Sequence, residues 1–292
     1  MRRGRSIVVG VDGTESGHDA LDWAAAEAAV RRLPLRVVHG YVTVPSWAWL
    51  GDVPQPFLNI DDVEAAANEV LEQAVNRARC VASDVDVRGQ LVPAAGAPTL
   101  LAQCGAAELI VLGSRGLGGV RGLLAGSVGF RVAAHATCPV VVVGPMRPVA
   151  PGRSATRVVV GVDGTSLSDR AIDFAVRAAT QRGVGLTAIH TWRPRAPADL
   201  EGVTDDWPLA EAAEWRALRD VLGRCRQRLD TADIELRLVQ GRAQDVLVAE
   251  SAGAALLVVG SRGRGSVRAA LLGSVSQAVL QHAGCPVAVI RG

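Results

Sequence analysis

Short runs of β-branched apolar residues alternate along the chain with longer segments in which alanine and leucine recur every three or four positions. The short runs have the length of strands buried in a parallel sheet. The recurrence of alanine and leucine in the longer segments is typical of helices with one buried face. In the first half, strands are predicted at 7–11, 35–39, 85–92, 109–112 and 140–143, with helices capped at Ser16, through 63–78, from Ala97 and over 127–135. Because strand and helix alternate throughout, the pattern predicts an α/β fold with helices on both faces of a parallel sheet.

The second half of the chain repeats the first. Residues 158–192 align with residues 7–41 at 14 identities in 35 positions, and seven of these are consecutive. A second block aligns residues 256–289 with residues 109–142, and Ser168 stands at the cap position in the second copy. A repeat of this length is one structural unit, so we predict two doubly wound, Rossmann-like domains of five strands each in tandem.

Glycine and proline mark the boundary between the copies. The marking residues are Gly144, Pro145, Pro148, Pro151 and Gly152. We place the first domain at residues 1–146, a linker at 147–156 and the second domain at 157–292. The last strand of each domain is expected at a sheet edge, where a bare apolar strand invites pairing. We therefore expect the two domains, or two whole chains in a homodimer, to pair through these strands.

Composition and charge exclude several classes of protein. The chain is 49% hydrophobic and 21% charged, as in a folded globular protein, and 31 basic against 29 acidic residues give a net charge of +2. No global attraction to nucleic acid or to an anionic membrane follows from that balance. The sequence contains no lysine, which excludes a Walker-type phosphate loop and Schiff-base chemistry.

The five cysteines and the apolar segments point to a reducing compartment. The cysteines are odd in number and lack C-x-x-C spacing, which argues against a disulfide framework or a zinc site. The first apolar run is interrupted at Asp12, short of a signal-peptide core, and no segment reaches the ~18 apolar residues of a membrane span. We expect a cytoplasmic protein that does not enter a membrane.

The loop after the fourth strand is rich in glycine in both copies. Gly113-Ser114-Arg115-Gly116 and Gly260-Ser261-Arg262-Gly263 are each followed, after nine residues, by Gly-Ser at the start of a helix. Glycine lets the backbone approach a ligand closely, and free N–H groups at a helix start favour an anion such as phosphate. Ser127 and Ser274 either cap their helices or donate a hydroxyl to the phosphate.

The loop after the first strand places Asp12, or Asp163 in the second copy, at the end of a buried strand. A carboxylate repels polyphosphate, so it is expected to accept hydrogen bonds from the ribose or the base. The alternative is that each aspartate bonds only the turn behind it. The first turn reads G-x-x-G rather than G-x-G-x-x-G, which disfavours nicotinamide and flavin dinucleotides.

These motifs together resemble those of the universal stress protein family, in its tandem two-domain form. The resemblance rests on the Gly-Val-Asp-Gly-Thr turn, the G-x2-G-x9-G-S loop and the Cys-Pro-Val before the last strand, each present in both copies. It implies a sheet in the order 3-2-1-4-5, pairing of domains through the last strand, and ATP bound with Mg²⁺ through its phosphates.

The resemblance also implies which residues bind the nucleotide. In the first copy these are Gly10 and Asp12 at the adenosine, Gly40 at the adenine, and Gly113, Ser114, Arg115, Gly116, Gly118, Gly119, Gly126, Ser127 and Val128 around the ribose and phosphates. In the second copy they are Gly161, Asp163, Thr191, Gly260, Ser261, Arg262, Gly263, Arg264, Gly265, Gly273, Ser274 and Val275. Gly40 and Thr191 replace the apolar residue usual at the adenine contact. Arg115 and Arg262 either hold phosphate oxygens or are solvated.

Two histidines and one aromatic segment lie outside the glycine loops. His39 and His190 end the second strand of each copy without metal-ligand spacing, which favours structural histidines. The aromatic segment of residues 42–60 is a lid, a subunit contact or an ordinary loop.

Three function classes remain. The first is an ATP-binding regulatory protein with one site per domain and at most slow hydrolysis, since neither a lysine nor an evident general base stands at the glycine loop. The others are a nucleotide-dependent transferase and a partner-binding protein with vestigial nucleotide loops.

Overall fold

The β-branched runs of each repeat form parallel strands in the computed structural model, which describes residues 5–42, 60–114, 126–144, 157–193, 207–226, 233–263 and 272–291. The chain divides into two units, Met1–Gly144 and Pro145–Gly292. The linker predicted at residues 147–156, and most of the aromatic segment predicted at 42–60, lie outside the described residues.

The first unit contains five strands and four helices among its described residues. In chain order these are β1 (Ser6–Val11), α1 (Glu15–Arg31), β2 (Leu35–Gly40), α2 (Ile60–Val81), β3 (Val87–Val92), α3 (Gly96–Leu101), β4 (Ala107–Gly113), α4 (Ser127–His135) and β5 (Val140–Val143). The strands follow the order β3-β2-β1-β4-β5 and their pairs are parallel.

The second unit repeats this arrangement. Its elements are β6 (Arg157–Val162), α5 (Ser166–Arg182), β7 (Gly185–Trp192), α6 (Trp207–Arg226), β8 (Ile234–Gln240), α7 (Ala243–Glu250), β9 (Leu256–Gly260), α8 (Ser274–His282) and β10 (Val287–Ile290). Their order is β8-β7-β6-β9-β10, again with parallel pairs. The α/β fold class and the order 3-2-1-4-5 are therefore confirmed in both units.

The core of each unit lies on the two central strands. Ile7, Val8 and Val9 of β1 are fully buried, as are Leu109, Ile110 and Val111 of β4. Consecutive residues of a strand face opposite sides of a sheet, so both faces must be covered. In the first unit α1 packs on α2 and α3 packs on α4, and the second unit repeats both helix pairs.

The first helix of each unit begins earlier than the sequence pattern indicates. Its N-cap is Thr14 in α1 and Thr165 in α5, so the prediction that Ser16 and Ser168 are the caps is wrong. Gly13, which precedes Thr14, has a positive φ of 77°. The tight turn at this glycine brings Thr14 to the cap position. The Thr14 hydroxyl accepts a hydrogen bond of 3.2 Å from the backbone N–H of Gly17.

Among the described residues, no helix combines the length and apolar character needed to cross a membrane.

Candidate functional site

The carboxyl ends of the two central strands lie side by side in each unit. In the first unit β1 pairs with β2 on one side and with β4 on the other. Successive connections from β1 therefore run in opposite directions along the sheet, and the loops after β1 and β4 flank the point of reversal. Open parallel sheets bind ligands at this point. The same relationship holds for β6 and β9.

Two contacts show how closely these loops approach each other. A Cβ atom on Gly113, at the end of β4, would lie only 2.5 Å from the backbone oxygen of Ser16 in α1. In the second unit, a Cβ atom on Gly263 would lie 3.1 Å from Oδ2 of Asp163. Glycine at both positions lets the loop after the fourth strand lie against the turn after the first strand.

Each aspartate after the first strand organises the turn that follows it. Asp12 Oδ1 accepts hydrogen bonds from the backbone N–H of Thr14 at 3.1 Å and from its hydroxyl at 2.6 Å. Asp163 Oδ1 accepts the same two bonds from Thr165, at 2.9 and 2.7 Å. The structure confirms that the aspartates bond their own turns, while their contact with ribose or base stays a prediction.

Backbone hydrogen bonds hold the ends of the glycine loop together. The N–H of Gly126 donates to the carbonyl of Ser114, and that of Gly273 donates to the carbonyl of Ser261 at 2.9 Å. The N–H groups of Ser114 and Ser261 extend the sheet by donating to the last residues of β5 and β10, both at 2.8 Å. The loop therefore leaves the sheet and returns at the start of the next helix.

The starts of α4 and α8 present unpaired amides at this return point. Their N-caps are Gly126 and Gly273, and neither cap makes a side-chain hydrogen bond to the helix. Among the described residues, no acceptor meets the three N–H groups of the first turn, which belong to Ser127, Val128 and Gly129 in α4 and to Ser274, Val275 and Ser276 in α8. Unpaired amides at a helix start attract anions. The alternative that Ser127 and Ser274 cap their helices is wrong, because each is the first residue inside its helix.

Several glycines of the predicted site have a packing role that sequence reasoning missed. A Cβ atom on Gly10 would lie 2.7 Å from Leu100 of α3, and one on Gly161 would lie 2.8 Å from Leu247 of α7. A Cβ atom on Gly40 would lie 2.7 Å from the backbone oxygen of Ala94. These glycines let the third helix and the preceding turn approach the sheet closely. The contacts link segments far apart along the chain, so no local signal announces them.

Further candidate residues lie around the helix start. Val128 is 39% exposed, so an apolar side chain faces solvent beside the unpaired amides of α4. Arg262 is half-buried, and no carboxylate of the described chain pairs with it. A Cβ atom on Gly273 would lie 3.5 Å from the Cα of Arg262, so the basic residue is next to the start of α8. The remaining loop candidates lie outside the described residues and are Arg115, Gly116, Gly118, Gly119, Arg264 and Gly265.

Buried serine hydroxyls occupy equal places in the two loops. Ser114 and Ser261 are more than nine-tenths buried, and neither Oγ atom has a hydrogen-bond partner. The units differ one turn later. In α8 the Ser276 hydroxyl donates to the carbonyl of Gly260 at 2.7 Å, whereas the equivalent residue of α4 is Gly129.

The histidines at the end of the second strand are structural, as predicted. Nδ1 of His39 is 2.7 Å from the carbonyl oxygen of Val11, and Nδ1 of His190 is 2.7 Å from that of Val162. Both rings are buried. Nε2 of His190 also lies 2.9 Å from a carboxylate oxygen of Glu214. No cluster of three or more metal-ligating side chains occurs within the described ranges.

Comparison with known proteins identifies close relatives over nearly the whole chain. The model of the universal stress protein family matches twice, at residues 4–144 and 155–291. A universal stress protein of Mycobacterium tuberculosis is 35% identical over 288 residues, which cover 98% of this chain and 96% of the relative.

A solved structure of the same family shares the fold. A universal stress protein from Archaeoglobus fulgidus superimposes with a TM-score of 0.69 at 22% identity, covering 98% of each chain. Another universal stress protein from that organism, solved in complex with dAMP, is 27% identical and covers 46% of this chain and 97% of its own, with a TM-score of 0.34.

Proposed function

Because the chain belongs to the universal stress protein family, we propose that it is a regulatory protein of the stress response that binds one ATP molecule in each unit. The observation that carries the proposal is the pair of helix starts at Ser127 and Ser274. Each presents three backbone N–H groups without an acceptor among the described residues, at the carboxyl end of a central strand. A phosphate chain supplies the acceptors that these groups lack.

Several interactions contribute to the free energy of phosphate binding at each helix start. A hydrogen bond to a charged acceptor contributes about 1.5–3 kcal/mol, and the partial charge of a helix start adds about 0.3–1 kcal/mol for an exposed anion. In our proposal the hydroxyls of Ser127 and Ser274 donate to the same phosphates, since neither is used as a cap. Arg262 adds a guanidinium beside the second site, and Mg²⁺ accompanies the phosphates in both.

The adenosine part of the ligand is assigned to the turn after the first strand. Oδ1 of Asp12 is already committed to Thr14, so the contact with a ribose hydroxyl or the adenine amine falls to Oδ2. The exposed side chain of Val128 offers an apolar surface at the start of α4. An aspartate anchored in this way keeps its second oxygen in a fixed direction, which favours recognition over catalysis.

Hydrolysis in this proposal is absent or slow. Transfer of a phosphoryl group needs a group that positions or deprotonates the nucleophile, together with strong charge stabilisation. The chain has no lysine, both Nδ1 atoms of His39 and His190 face backbone carbonyls, and Asp12 and Asp163 hold their turns. We therefore assign the protein a binding role, with the bound nucleotide controlling which surface it shows to a partner.

The cytoplasmic location and the homodimer belong to the same proposal. Four consecutive apolar residues form the last strand of each unit, and a strand of this kind favours pairing with another strand. Sedimentation equilibrium of the full chain tests the dimer, because a mass equal to one chain at micromolar concentration contradicts it.

Two measurements test the nucleotide assignment. The freshly purified protein is denatured and the released small molecules are identified by mass spectrometry, with adenine nucleotide expected. Titration calorimetry of nucleotide-free protein with ATP and Mg²⁺ is expected to show two sites per chain. Absence of released nucleotide together with absence of binding heat contradicts the proposal and favours a partner-binding protein with vestigial loops.

A further inference from the structure

Two cysteine thiols of the first unit meet at the end of the sheet opposite the candidate nucleotide site. Cys104 lies in the turn between α3 and β4, and Cys138 lies in the turn between α4 and β5. β4 and β5 are paired neighbours, and the N–H of Ile110 donates to the carbonyl of Pro139 at 3.0 Å, so the two turns adjoin. Both thiols are free, and Cys104 is close enough to Cys138 to contribute to the raised pKa of the Cys138 thiol.

In the second unit the turns before β9 and β10 also lie side by side, but they carry a different pair of residues. Ser251 stands where the first unit has Cys104, and Cys285 stands where it has Cys138. The Ser251 hydroxyl accepts a hydrogen bond of 2.8 Å from the N–H of Gly284 and donates one of 2.6 Å to the carbonyl of Val248. The side chain at this position therefore reaches the turn before the last strand in both units. Only the first unit has a thiol at both places.

We propose that Cys104 and Cys138 form a redox-active dithiol that a peroxide converts to a disulfide, in the first unit alone. In the first step the thiolate of Cys104 attacks hydrogen peroxide, the O–O bond breaks, and a sulfenic acid and hydroxide form. The hydroxide becomes water by taking up the proton that the Cys104 thiol released when it ionised. In the second step Cys138 attacks that sulfur, an S–S bond forms, and the S–O bond breaks. The thiol proton of Cys138 leaves with the hydroxide as water. The peroxide takes up the two electrons that the sulfurs lose.

The two thiols differ in a way that assigns their roles. Cys104 is partly exposed and Cys138 is only 8% exposed, so a peroxide reaches Cys104 first. Burial, reinforced by the neighbouring Cys104, raises the pKa of Cys138 to about 12. The more exposed Cys104 is therefore the thiol that the peroxide oxidises, and the buried Cys138 is the thiol that resolves the sulfenic acid.

A disulfide at this place encloses the fourth strand and the helix that follows it. The closed segment runs from residue 104 to residue 138 and contains β4, the glycine loop and α4. A disulfide requires sulfur atoms about 2.05 Å apart, and neighbouring thiols on two adjoining turns reach this distance by side-chain rotation. The dithiol uses no residue of the proposed nucleotide site, so its test is independent of ATP binding.

Peptide mapping of the oxidised full chain tests the proposal. The reduced protein is treated with hydrogen peroxide, its remaining thiols are alkylated, and it is digested with trypsin. Cleavage after Arg115 and Arg131 separates the two cysteines into peptides 89–115 and 132–153. We expect these peptides to be joined, with a mass lower than their sum by two hydrogen atoms, and two of the five thiols to disappear.

Two variants provide matched controls. Cys104→Ser copies the residue of the second unit, so it is expected to fold and to lose the crosslink. Ser251→Cys places a thiol beside Cys285, and a second crosslink is expected in the second unit. Crosslinks through Cys80 or Cys225 instead, or a sulfenic acid at Cys104 that Cys138 never resolves, overturn the proposal. Equal thiol loss in the parent and in Cys104→Ser overturns it as well.

Discussion

The hydroxyl of Ser168 donates a hydrogen bond of 2.5 Å to Oδ1 of Asp163, the same oxygen that holds the turn through Thr165. The equivalent residue of the first unit is Gly17, and a Cβ atom there would lie only 2.8 Å from Oδ1 of Asp12. One unit therefore fills this position with a hydrogen-bond donor and the other leaves it empty. In both units the carboxylate is fixed against the start of the first helix.

Alanine and serine at position 17 are expected to have opposite effects. Gly17→Ala puts a methyl group against Asp12 Oδ1 and disturbs its bonds to Thr14, which costs about 1 kcal/mol of unfolding free energy despite the better helix propensity of alanine. Gly17→Ser introduces the same Cβ but also the hydroxyl that donates to the aspartate in the second unit, so this bond is expected to offset the close contact and keep parental stability. Hydrogen exchange of α1 amides distinguishes the two. A Gly17→Ala variant as protected as Gly17→Ser contradicts this account of the turn.

Proline at the first position of α4 or α8 removes one amide from each proposed phosphate site without breaking the helix. Proline is favoured at this position, and the preceding residue must be extended. Gly126 (φ −68°, ψ 154°) and Gly273 (φ −66°, ψ 157°) already meet that requirement. Loss of one hydrogen bond to a charged phosphate is worth about 1.5–3 kcal/mol, so Ser127→Pro is expected to weaken ATP binding at one site about 10–100-fold.

The matched controls separate the amide from the hydroxyl. Ser127→Ala removes the hydroxyl and keeps the N–H, and Ser274→Pro applies the same change to the second unit. In each single variant the unaltered unit still binds ATP, so its affinity is the internal reference for the altered site in the same titration. Undiminished affinity at both sites in the double variant Ser127→Pro/Ser274→Pro means that the helix starts do not hold the phosphates.

Arg32 ends α1 with a left-handed backbone, φ 53°, where the second unit ends α5 with Gly183 at φ 65°. A side chain at such a position is strained, and glycine is not. Arg32→Gly is therefore expected to raise the unfolding free energy of the first unit by about 0.5–1 kcal/mol. Gly183→Arg is expected to lower that of the second unit by a similar amount, although no atom lies near its missing Cβ. Urea titration of both variants measures the difference. An unchanged Gly183→Arg variant contradicts the argument.

Local patterns predicted the strands and the glycine loops well, and they failed where distant segments meet. The run Val140–Val143 and the helix Ser127–His135 have the predicted bounds, because strand runs and Gly-Ser helix starts are local signals. The cap at Thr14 was missed, since the serine two residues later is an equally good capping residue. The turn geometry of Gly13 decides between them.

The packing roles of Gly10 and Gly113 had no local signal. Gly113 was assigned to nucleotide binding, yet its missing Cβ also makes room for the backbone of Ser16, almost a hundred residues earlier. The meeting of Cys104 with Cys138 likewise depends on which strands are neighbours. Alignment of the two copies does show that Cys104 is replaced by Ser251 in the second copy, so this difference between the units is visible in the sequence.

Serine at position 129 is expected to stabilise the first unit. In the second unit the Ser276 hydroxyl binds the carbonyl of Gly260 at 2.7 Å, and the first unit lacks this bond because it has Gly129. A Cβ atom there would make ordinary contacts, 3.4 Å to Leu112 and 3.7 Å to the Gly113 oxygen. Gly129→Ser adds a hydrogen bond and removes a helical glycine, for a gain of about 1 kcal/mol in unfolding free energy. Gly129→Ala gains only the better helix propensity of alanine and adds no hydrogen bond. Equal stability of the two variants shows that the hydroxyl contributes nothing.

Alkaline pH is expected to destabilise the protein through its buried thiols. Burial raises the pKa of Cys285 to about 12, from an ordinary value near 9. Between these values the unfolded chain has released this proton and the folded chain still holds it. The unfolded state therefore binds fewer protons, and the free energy of unfolding falls as the pH rises. The full difference corresponds to at most ~4 kcal/mol for this thiol.

The sequence makes this effect measurable. The chain has no lysine and one tyrosine, so the five cysteines are most of the side chains whose ordinary pKa values lie near this range. Urea titrations across that range are expected to show a smaller pH dependence in Cys285→Ala than in the parent, whatever the absolute stability of the variant. The exposed Cys80 provides the control, because its thiol is already accessible in the folded state and Cys80→Ala should keep the parental slope. Identical slopes for the parent and for Cys285→Ala mean that the buried thiol ionises as readily in the folded chain as in the unfolded one.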